Sequence, residues 1–156
     1  MKSYNYLFSL ILLFFSVSIA NAENFNEAHL HKFIEEIDKT VLQQDITKLA
    51  GFLSDDITIT TYVSILGNLR THSSNKTNYL KTVEAAWKKA ENYQYSRENI
   101  EIELLDNGKK ARISSTIRES MIYDGIPITS IATEANIVEL IDGKAQITKV
   151  TGETTI

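Results

Sequence analysis

The residues of this sequence with the types needed for acid-base chemistry are two glutamates in its C-terminal half, Glu119 and Glu134. Two carboxylates beside an apolar wall can acquire separated pKa values, so that one acts as an acid and the other as a base. The alternative is that both are paired with Lys149 or are simply solvated, and we favour this interpretation. Glu119 and Glu134 are therefore candidates for catalysis in a chain whose chemistry favours a non-catalytic role.

Other residue types that carry chemistry are sparse. The chain has no cysteine and three histidines, which excludes disulfides, thiolate nucleophiles and thiolate metal sites. His29 and His31 are two residues apart and so lie on different faces of a helix, and His72 follows a turn. The sequence also lacks a glycine-rich phosphate loop and the spacing of metal ligands. We therefore expect no metal and no cofactor.

Composition describes one ordinary globular domain. The chain has 156 residues, of which 43% are hydrophobic and 23% charged, with a formal net charge of −4, and this length and mixture suit a single core. No basic block is present to release counterions from a phosphate backbone. We therefore expect no nucleic-acid partner.

The N-terminal segment has the pattern of an export signal. Lys2 precedes a continuous apolar run over 7–20, and Ala20-Asn21-Ala22 supplies the small residues that a signal peptidase needs. We predict a cleaved signal peptide over 1–22, a single domain over 23–156, and a secreted or periplasmic location. The apolar run is shorter than the about 20 residues of a membrane span, so we expect no membrane insertion after cleavage.

The first half of the domain predicts helices and one strand. Apolar residues recur at helical spacing from Leu30 to Val41, after a capping box formed by Asn24 and Glu27. The predicted elements are a helix over 26–43, a short helix capped by Asp45, and a strand over 57–63. A turn at Gly67-Asn68 then precedes Leu69 to His72 and a third helix capped by Ser73, Ser74 or Asn75.

The second half predicts three β-hairpins. Asn107-Gly108, Asp124-Gly125 and Asp142-Gly143 each stand between β-rich runs, and such pairs are the strongest local signal for a two-residue hairpin loop. Four strands follow, at about 93–106, 109–123, 126–141 and 144–155. Two-residue loops also set the register, pairing Asp106 with Lys109, Tyr123 with Ile126, and Ile141 with Lys144.

This register makes one face of the sheet apolar near the first hairpin and polar at the other end. Buried charge is unfavourable unless it is paired or hydrated, so we predict a dry core that opens into a pocket. The predicted ligand-binding residues are Tyr62, Trp87, Ser115, Glu119, Met121, Glu134, Asn136 and Lys149.

The opposite face of the sheet is flat and half apolar, which suits the packing of one sheet on another. We predict that it forms a homodimer through Thr116, Ile131, Thr133, Ala135, Ile137, Thr148 and Val150.

The order of elements, and the segment Gln44 to Asp56 in particular, resembles the nuclear transport factor 2-like superfamily. The resemblance covers about 27–155 and implies an α+β cone, in which helices pack on a strongly curved antiparallel sheet with a pocket at its wide end. The superfamily includes ketosteroid isomerases, dehydratases, polyketide cyclases, epoxide hydrolases and non-enzymatic members, so the fold does not choose the function. Where the isomerases carry a general-base Asp, the matching position here is Thr61.

Three functional hypotheses follow. The favoured one is an exported, non-catalytic and homodimeric domain that binds a small, partly apolar ligand. The alternative is an isomerase-, dehydratase- or cyclase-type enzyme that acts on a small molecule through Glu119 and Glu134. A third is a role in binding a protein partner of the cell envelope, which the sequence does not separate from the first.

Overall fold

The computed structural model describes residues 24–65 and 68–155, so the predicted signal peptide over 1–22 lies outside the described residues. Three helices, α1 (Glu27–Leu42), α2 (Ile46–Phe52) and α3 (Lys76–Lys89), accompany one sheet. Its strands are β1 (Leu53–Ile65), β2 (Asn68–Ser74), β3 (Ala90–Leu105), β4 (Lys110–Tyr123), β5 (Ile126–Ile141) and β6 (Lys144–Thr155). None of the helices in the described part is long and apolar enough to cross a membrane.

Each helix begins at a side chain that caps its first turn. Asp45 and Asn75 accept hydrogen bonds from the backbone N–H groups of Lys48 and Asn78, at 2.9 and 3.0 Å, which confirms the predicted caps. The predicted capping box at Asn24 is wrong, because Asn26 caps α1 by accepting from the His29 N–H at 2.9 Å.

The reason for the shifted cap lies in the residue before it. The Phe25 N–H donates to the Gly108 carbonyl at 2.6 Å, and the Phe25 side chain is buried. This contact holds Asn24 and Phe25 against the turn between β3 and β4, so they cannot enter the helix.

The six strands form a single sheet in the order β2-β1-β6-β5-β4-β3. Every neighbouring pair is antiparallel except β1 and β6, which run parallel. The predicted antiparallel sheet is therefore corrected to a mixed one. A parallel pair needs a long connection, and the chain between β1 and β6 supplies it with α3 and the strands β2 to β5.

The predicted register holds in full for β4 and β5, from Tyr123 opposite Ile126 to Lys110 opposite Glu139. In the first hairpin a 3-10 turn over Asp106–Gly108 replaces the predicted two-residue loop, so the ladder begins with Leu105 opposite Lys110 rather than Asp106 opposite Lys109. The first and third hairpins both follow the predicted register near their turns and then shift. The β3–β4 ladder shifts between Glu98 and Glu101 and again between Glu91 and Gln94, and β6 shifts relative to β5 beyond Ile147. Each one-residue shift exchanges the inward and outward sides of the strand beyond it.

The dry core lies between α1 and the concave face of the sheet. Leu30 and Val138 are fully buried, and the rings of Phe33 and Phe52 meet edge to face with their centroids 5.5 Å apart. The strands contribute buried residues of the same cluster: Leu53, Ile57, Ile59, Ala111, Ile113 and Ile147. Helix α1 thus closes one end of the curved sheet, as the sequence predicts.

Replacing Gly108 with Ala should destabilise the protein more than replacing Gly125 with Ala. Both glycines have positive φ, +85° and +82°, so each alanine costs about 1 kcal/mol of backbone strain. A Cβ at Gly108 would also stand 3.1 Å from the Asn24 Cβ and 3.2 Å from the Phe25 carbonyl oxygen, whereas Gly125 has nothing within 4 Å. Urea unfolding should show a further loss of about 1–3 kcal/mol for Gly108→Ala. Equal losses would contradict the contact between the N-terminal segment and this turn.

Candidate functional site

A cavity of about 360 Å³ lies between α1, α3 and the concave face of the sheet, within the range of about 300–1,000 Å³ that small-molecule sites occupy. Its apolar wall includes Phe33, Ile37, Val83, Ile113, Val138 and Ile147. Its polar and aromatic lining includes Tyr79, Trp87, Tyr93, Tyr95, Glu119 and Glu134, together with Arg97 and Asn136. The cavity therefore combines a large apolar surface with a small set of polar groups.

A buried guanidinium, that of Arg97, organises the polar side of this cavity. Its side chain is 7% exposed, and its Nε donates to Asp38 Oδ1 of α1 at 2.8 Å. One terminal nitrogen donates to Ser115 Oγ at 2.6 Å and to Glu134 Oε1 at 3.1 Å. The other donates to the Tyr95 hydroxyl at 2.8 Å. Arg97 thus joins α1 to three neighbouring strands.

The partners of Arg97 are also hydrogen-bonded to one another. The Tyr95 hydroxyl donates to Asp38 Oδ1 at 2.7 Å, and Asn136 Nδ2 donates to Glu134 Oε1 at 2.7 Å. Burial disfavours the charge on Arg97, but the negative charges of Glu134 and Asp38 and the Tyr95 hydroxyl outweigh it and raise the pKa of Arg97. Arg97 is charged at every physiological pH, and Glu134 is its ion-pair partner.

Glu119 has different surroundings. Its Oε1 accepts a hydrogen bond from the Tyr93 hydroxyl at 2.5 Å, and within residues 24–65 and 68–155 it has no ion-pair partner. Burial and the hydrogen bond to Glu119 raise the pKa of Tyr93, so the hydroxyl stays protonated as the donor. Burial and then the charges of Glu134 and Glu119 raise the pKa of Tyr79. The two candidate carboxylates are therefore not equivalent. Glu134 forms an ion pair with Arg97, whereas Glu119 has no ion-pair partner among the described residues.

Five predicted ligand-binding residues line the cavity: Trp87, Glu119, Met121, Glu134 and Asn136. Ser115 lies behind Arg97, is 6% exposed, and accepts its hydrogen bond. Glu119 and Glu134 stand opposite Ser130 and Ser115, as the predicted register requires.

The structure corrects two of the predicted ligand-binding residues. Lys149 is exposed and stands opposite Ile137 on the outer face, because β6 shifts by one residue after Ile147. Tyr62 does not line the cavity, since its neighbour Thr61 does and successive strand residues point to opposite faces.

The shift in β6 also changes the predicted dimer face. Val150 stands opposite Asn136 and lines the cavity, so it is wrong as a dimer-face residue. Thr148 lies at the shift, and its hydroxyl donates to Glu139 Oε1 at 2.9 Å. The other five residues alternate with inward-facing ones on β4 and β5 and lie on the outer face: Thr116, Ile131, Thr133, Ala135 and Ile137.

Arg97 is the functional residue that sequence reasoning missed. Unbroken pairing from the first hairpin puts Glu98 inside and Arg97 outside, and the shift between Glu98 and Glu101 reverses them. Asn99 lies at this shift with a φ of 53°, and an asparagine in a long strand is the local signal of a bulge, because asparagine tolerates positive φ.

The positions that the resemblance singles out carry no acid-base pair. Thr61 lines the cavity where an isomerase-like Asp would stand, and its hydroxyl donates to the His72 carbonyl at 3.4 Å. His29, His31 and His72 are exposed and outside the lining. Across the described ranges, no group of three His, Cys, Asp or Glu side chains is placed to hold a metal ion.

The helices and the curved sheet form an α+β cone, and solved structures share this fold. They include a nuclear transport factor 2-like protein from Cytophaga hutchinsonii (14% identity, TM-score 0.63, covering 84% of this chain and 98% of that one). A ketosteroid isomerase-like protein from Erwinia carotovora atroseptica has 12% identity, a TM-score of 0.61, and coverage of 83% and 98%. A hexachlorocyclohexane dehydrochlorinase from Novosphingobium barchaimii has 16% identity, a TM-score of 0.61, and coverage of 81% and 84%.

The chain has the nuclear transport factor 2-like fold, which confirms the fold that the resemblance implies. No sequence profile of a known family matches the chain, and no curated protein matches it either. At these identities the solved structures show the fold alone, so the function has to be argued from the site.

Replacing Arg97 with Met should be far more destabilising than replacing Arg118 with Met. Removing Arg97 leaves the half-buried carboxylates of Asp38 and Glu134 without their cation, a loss of about 3–5 kcal/mol. Arg118 pairs with Glu98 on the exposed outer face, where such a pair contributes at most about 1 kcal/mol. Urea unfolding of both variants measures the difference. Similar losses would contradict a buried structural role for Arg97.

Proposed function

We propose that this protein is an exported, non-catalytic binding domain that holds a small, partly apolar molecule in its cavity. The main supporting observation is that the polar groups around Glu134 are hydrogen-bonded to other residues of the protein. Arg97 donates hydrogen bonds to Asp38, Ser115 and Glu134 at 2.6–3.1 Å. The Arg97 guanidinium and the Asn136 amide both donate to Glu134 Oε1, so this carboxylate is held as a part of the cavity wall.

The remaining features of the cavity support the same proposal. The apolar wall provides the area that drives the binding of an apolar body. The residues to which superfamily chemistry points, Thr61 and the three histidines, offer no base at the cavity. The proposal needs no cofactor.

An enzyme of isomerase, dehydratase or cyclase type is the second candidate. Glu119 favours it, because this carboxylate faces the cavity with the Tyr93 hydroxyl as its hydrogen-bond donor. Solved structures of the same fold include a ketosteroid isomerase-like protein and a dehydrochlorinase. Glu134 then has a positioning role through Arg97 rather than a role as the second acid-base group.

We further propose that the domain acts after cleavage of residues 1–22, in a secreted or periplasmic location and without membrane insertion. Its proposed assembly is a homodimer through the outer face of β4 and β5. A protein partner of the cell envelope is the competing occupant of that face.

Filling the cavity should abolish the binding of its ligand. Ala86 lines the cavity and its neighbour Ala85 is exposed on the same helix, so Ala86→Trp obstructs the cavity and Ala85→Trp is the matched control. Native mass spectrometry of the protein, purified from its export compartment without denaturant, should show an additional small-molecule mass on the wild type and the control. Ala86→Trp should lack it, and the protein mass should correspond to a chain that starts at residue 23.

Two outcomes contradict the binding proposal. One is a wild-type protein without any additional mass, and the other is an additional mass that Ala86→Trp retains. Turnover decides between the two candidate functions. If the wild type converts the recovered molecule and Glu119→Gln does not, the enzyme hypothesis replaces the binding hypothesis.

The outer face should hold the two copies together. Ile131 is 42% exposed and Ile137 lies on the same face of β5, so Ile131→Lys with Ile137→Lys should place like charges in the interface and produce monomers. Leu42→Lys with Ile126→Lys adds the same charge at exposed apolar residues elsewhere and should leave the dimer intact. Native mass measures both. A wild-type monomer, or a dimer that survives the Ile131 and Ile137 substitutions, contradicts the proposed face.

A further inference from the structure

We propose that the ligand is a cation, a protonated amine on an apolar body, with its ammonium group hydrogen-bonded to Glu119. This inference rests on the proposed binding function and names the chemical class of molecule that the cavity takes. It is carried by the geometry of the charged groups around the cavity.

The described residues that face the cavity bring an excess of negative charge. Arg97 is the one cation of this lining, and Glu119 and Glu134 are its anions. Asp38, which packs behind Arg97, adds a third carboxylate. One guanidinium therefore stands against three carboxylates in a largely apolar enclosure, where charges are screened less than in water. A positive ligand is favoured and a negative one is disfavoured.

Arg97 has little capacity left to bind an anionic ligand. A guanidinium carries five N–H donors, and four hydrogen bonds already run to Asp38, Ser115, Glu134 and Tyr95. One N–H of the second terminal nitrogen remains, so a carboxylate or phosphate group of a ligand could accept a single hydrogen bond, and a bidentate contact would have to displace one of these partners. The two ion pairs and the single remaining N–H make Arg97 a weaker site for an anion than an unpaired arginine would be.

Glu119 has the free capacity that Arg97 lacks. A carboxylate has about four acceptor positions, and among the described residues the one side-chain hydrogen bond to Glu119 comes from Tyr93. An apolar ligand next to this carboxylate would displace water molecules that donate hydrogen bonds to it and would supply no charge or donor in their place, which is unfavourable. An ammonium group supplies both the hydrogen bonds and the opposite charge.

Aromatic residues line the same cavity as this carboxylate. Tyr93 donates to Glu119, and Tyr79 and Trp87 are also part of the lining. The faces of such rings attract cations, and Trp does so most strongly. The rest of the wall, from Phe33 and Ile37 to Val138, accommodates an apolar body. The cavity thus fits a molecule with one cationic end and one apolar end.

Matched probes test the charge of the ligand directly. Phenethylamine, phenethyl alcohol and phenylacetate share one body, and octylamine, octanol and octanoate share another. Trp87 is the single tryptophan of the chain and lines the cavity, so its fluorescence reports binding without a label. The amine of each set should bind at least about tenfold more tightly than the alcohol, and the carboxylate most weakly, because about tenfold corresponds to one close charge pair.

Glu119→Gln keeps the shape and the acceptor for Tyr93 and removes the charge. It should weaken amine binding about tenfold and leave alcohol binding within about twofold. Glu101→Gln, at an exposed outward position of β3, makes the same change in net charge and should alter neither. In the wild type, added salt should weaken the binding of the amine and not that of the alcohol. This measurement tests the proposal even if Glu119→Gln misfolds.

The outcomes separate this inference from the proposed function. Equal affinity for amine and alcohol, or an equal effect of Glu119→Gln on both, overturns the cationic ligand and leaves a binding cavity. Absence of binding by all six probes also overturns it, and when the native mass shows no small molecule either, the binding function fails as well.

Discussion

The buried guanidinium of Arg97 is the interaction on which the rest of the structure depends. Its hydrogen bonds run from β3 to Asp38 on α1, Ser115 on β4 and Glu134 on β5. These contacts hold the helix over the concave face at a set distance, and that distance leaves the cavity between them. An ion pair in such surroundings adds little net stability compared with apolar packing. Its contribution is to favour this arrangement of helix and sheet, because moving α1 away from the sheet would separate Asp38 from the guanidinium.

Local shifts in strand pairing decide which charges reach the cavity. The shift between Glu98 and Glu101 turns Arg97 inward and Glu98 outward, and the shift after Ile147 turns Val150 inward and Lys149 outward. Lys149 in the predicted register would face the same side as Glu134 and add a second cation. Without it, the charge balance of the cavity is negative and Glu119 lacks a cation among the described residues. Bulges that curve the sheet therefore also set the electrostatics of the site.

The fold is shared with proteins described as an isomerase-like protein and a dehydrochlorinase, yet shared architecture does not transfer their chemistry. Proton transfer needs a group with the right pKa within reach of the substrate. In this chain a threonine stands at the isomerase-like position, the histidines are exposed, and one of two inward glutamates is held by an arginine. Among the described residues, what remains at the cavity is Glu119, whose side-chain hydrogen bond comes from Tyr93.

The sequence by itself determined those features of the fold that are set by residues close together in the chain. It predicted the α+β class, the cap at Asp45, a cap of α3 among Ser73, Ser74 and Asn75, and the three hairpins. It placed Glu119 and Glu134 correctly because β4 and β5 pair without a shift. Tertiary structure alone decided the parallel pairing of β1 with β6 and the exchange of Lys149 with Val150. The inward position of Arg97 depends on the shift at Asn99, whose residue type is the only local sign of it. The alternation of side chains along a strand predicts which residues face inward only from the turn to the first extra residue. Where a strand must bulge depends on how the sheet curves around α1, and that curvature comes from contacts between residues far apart in the chain.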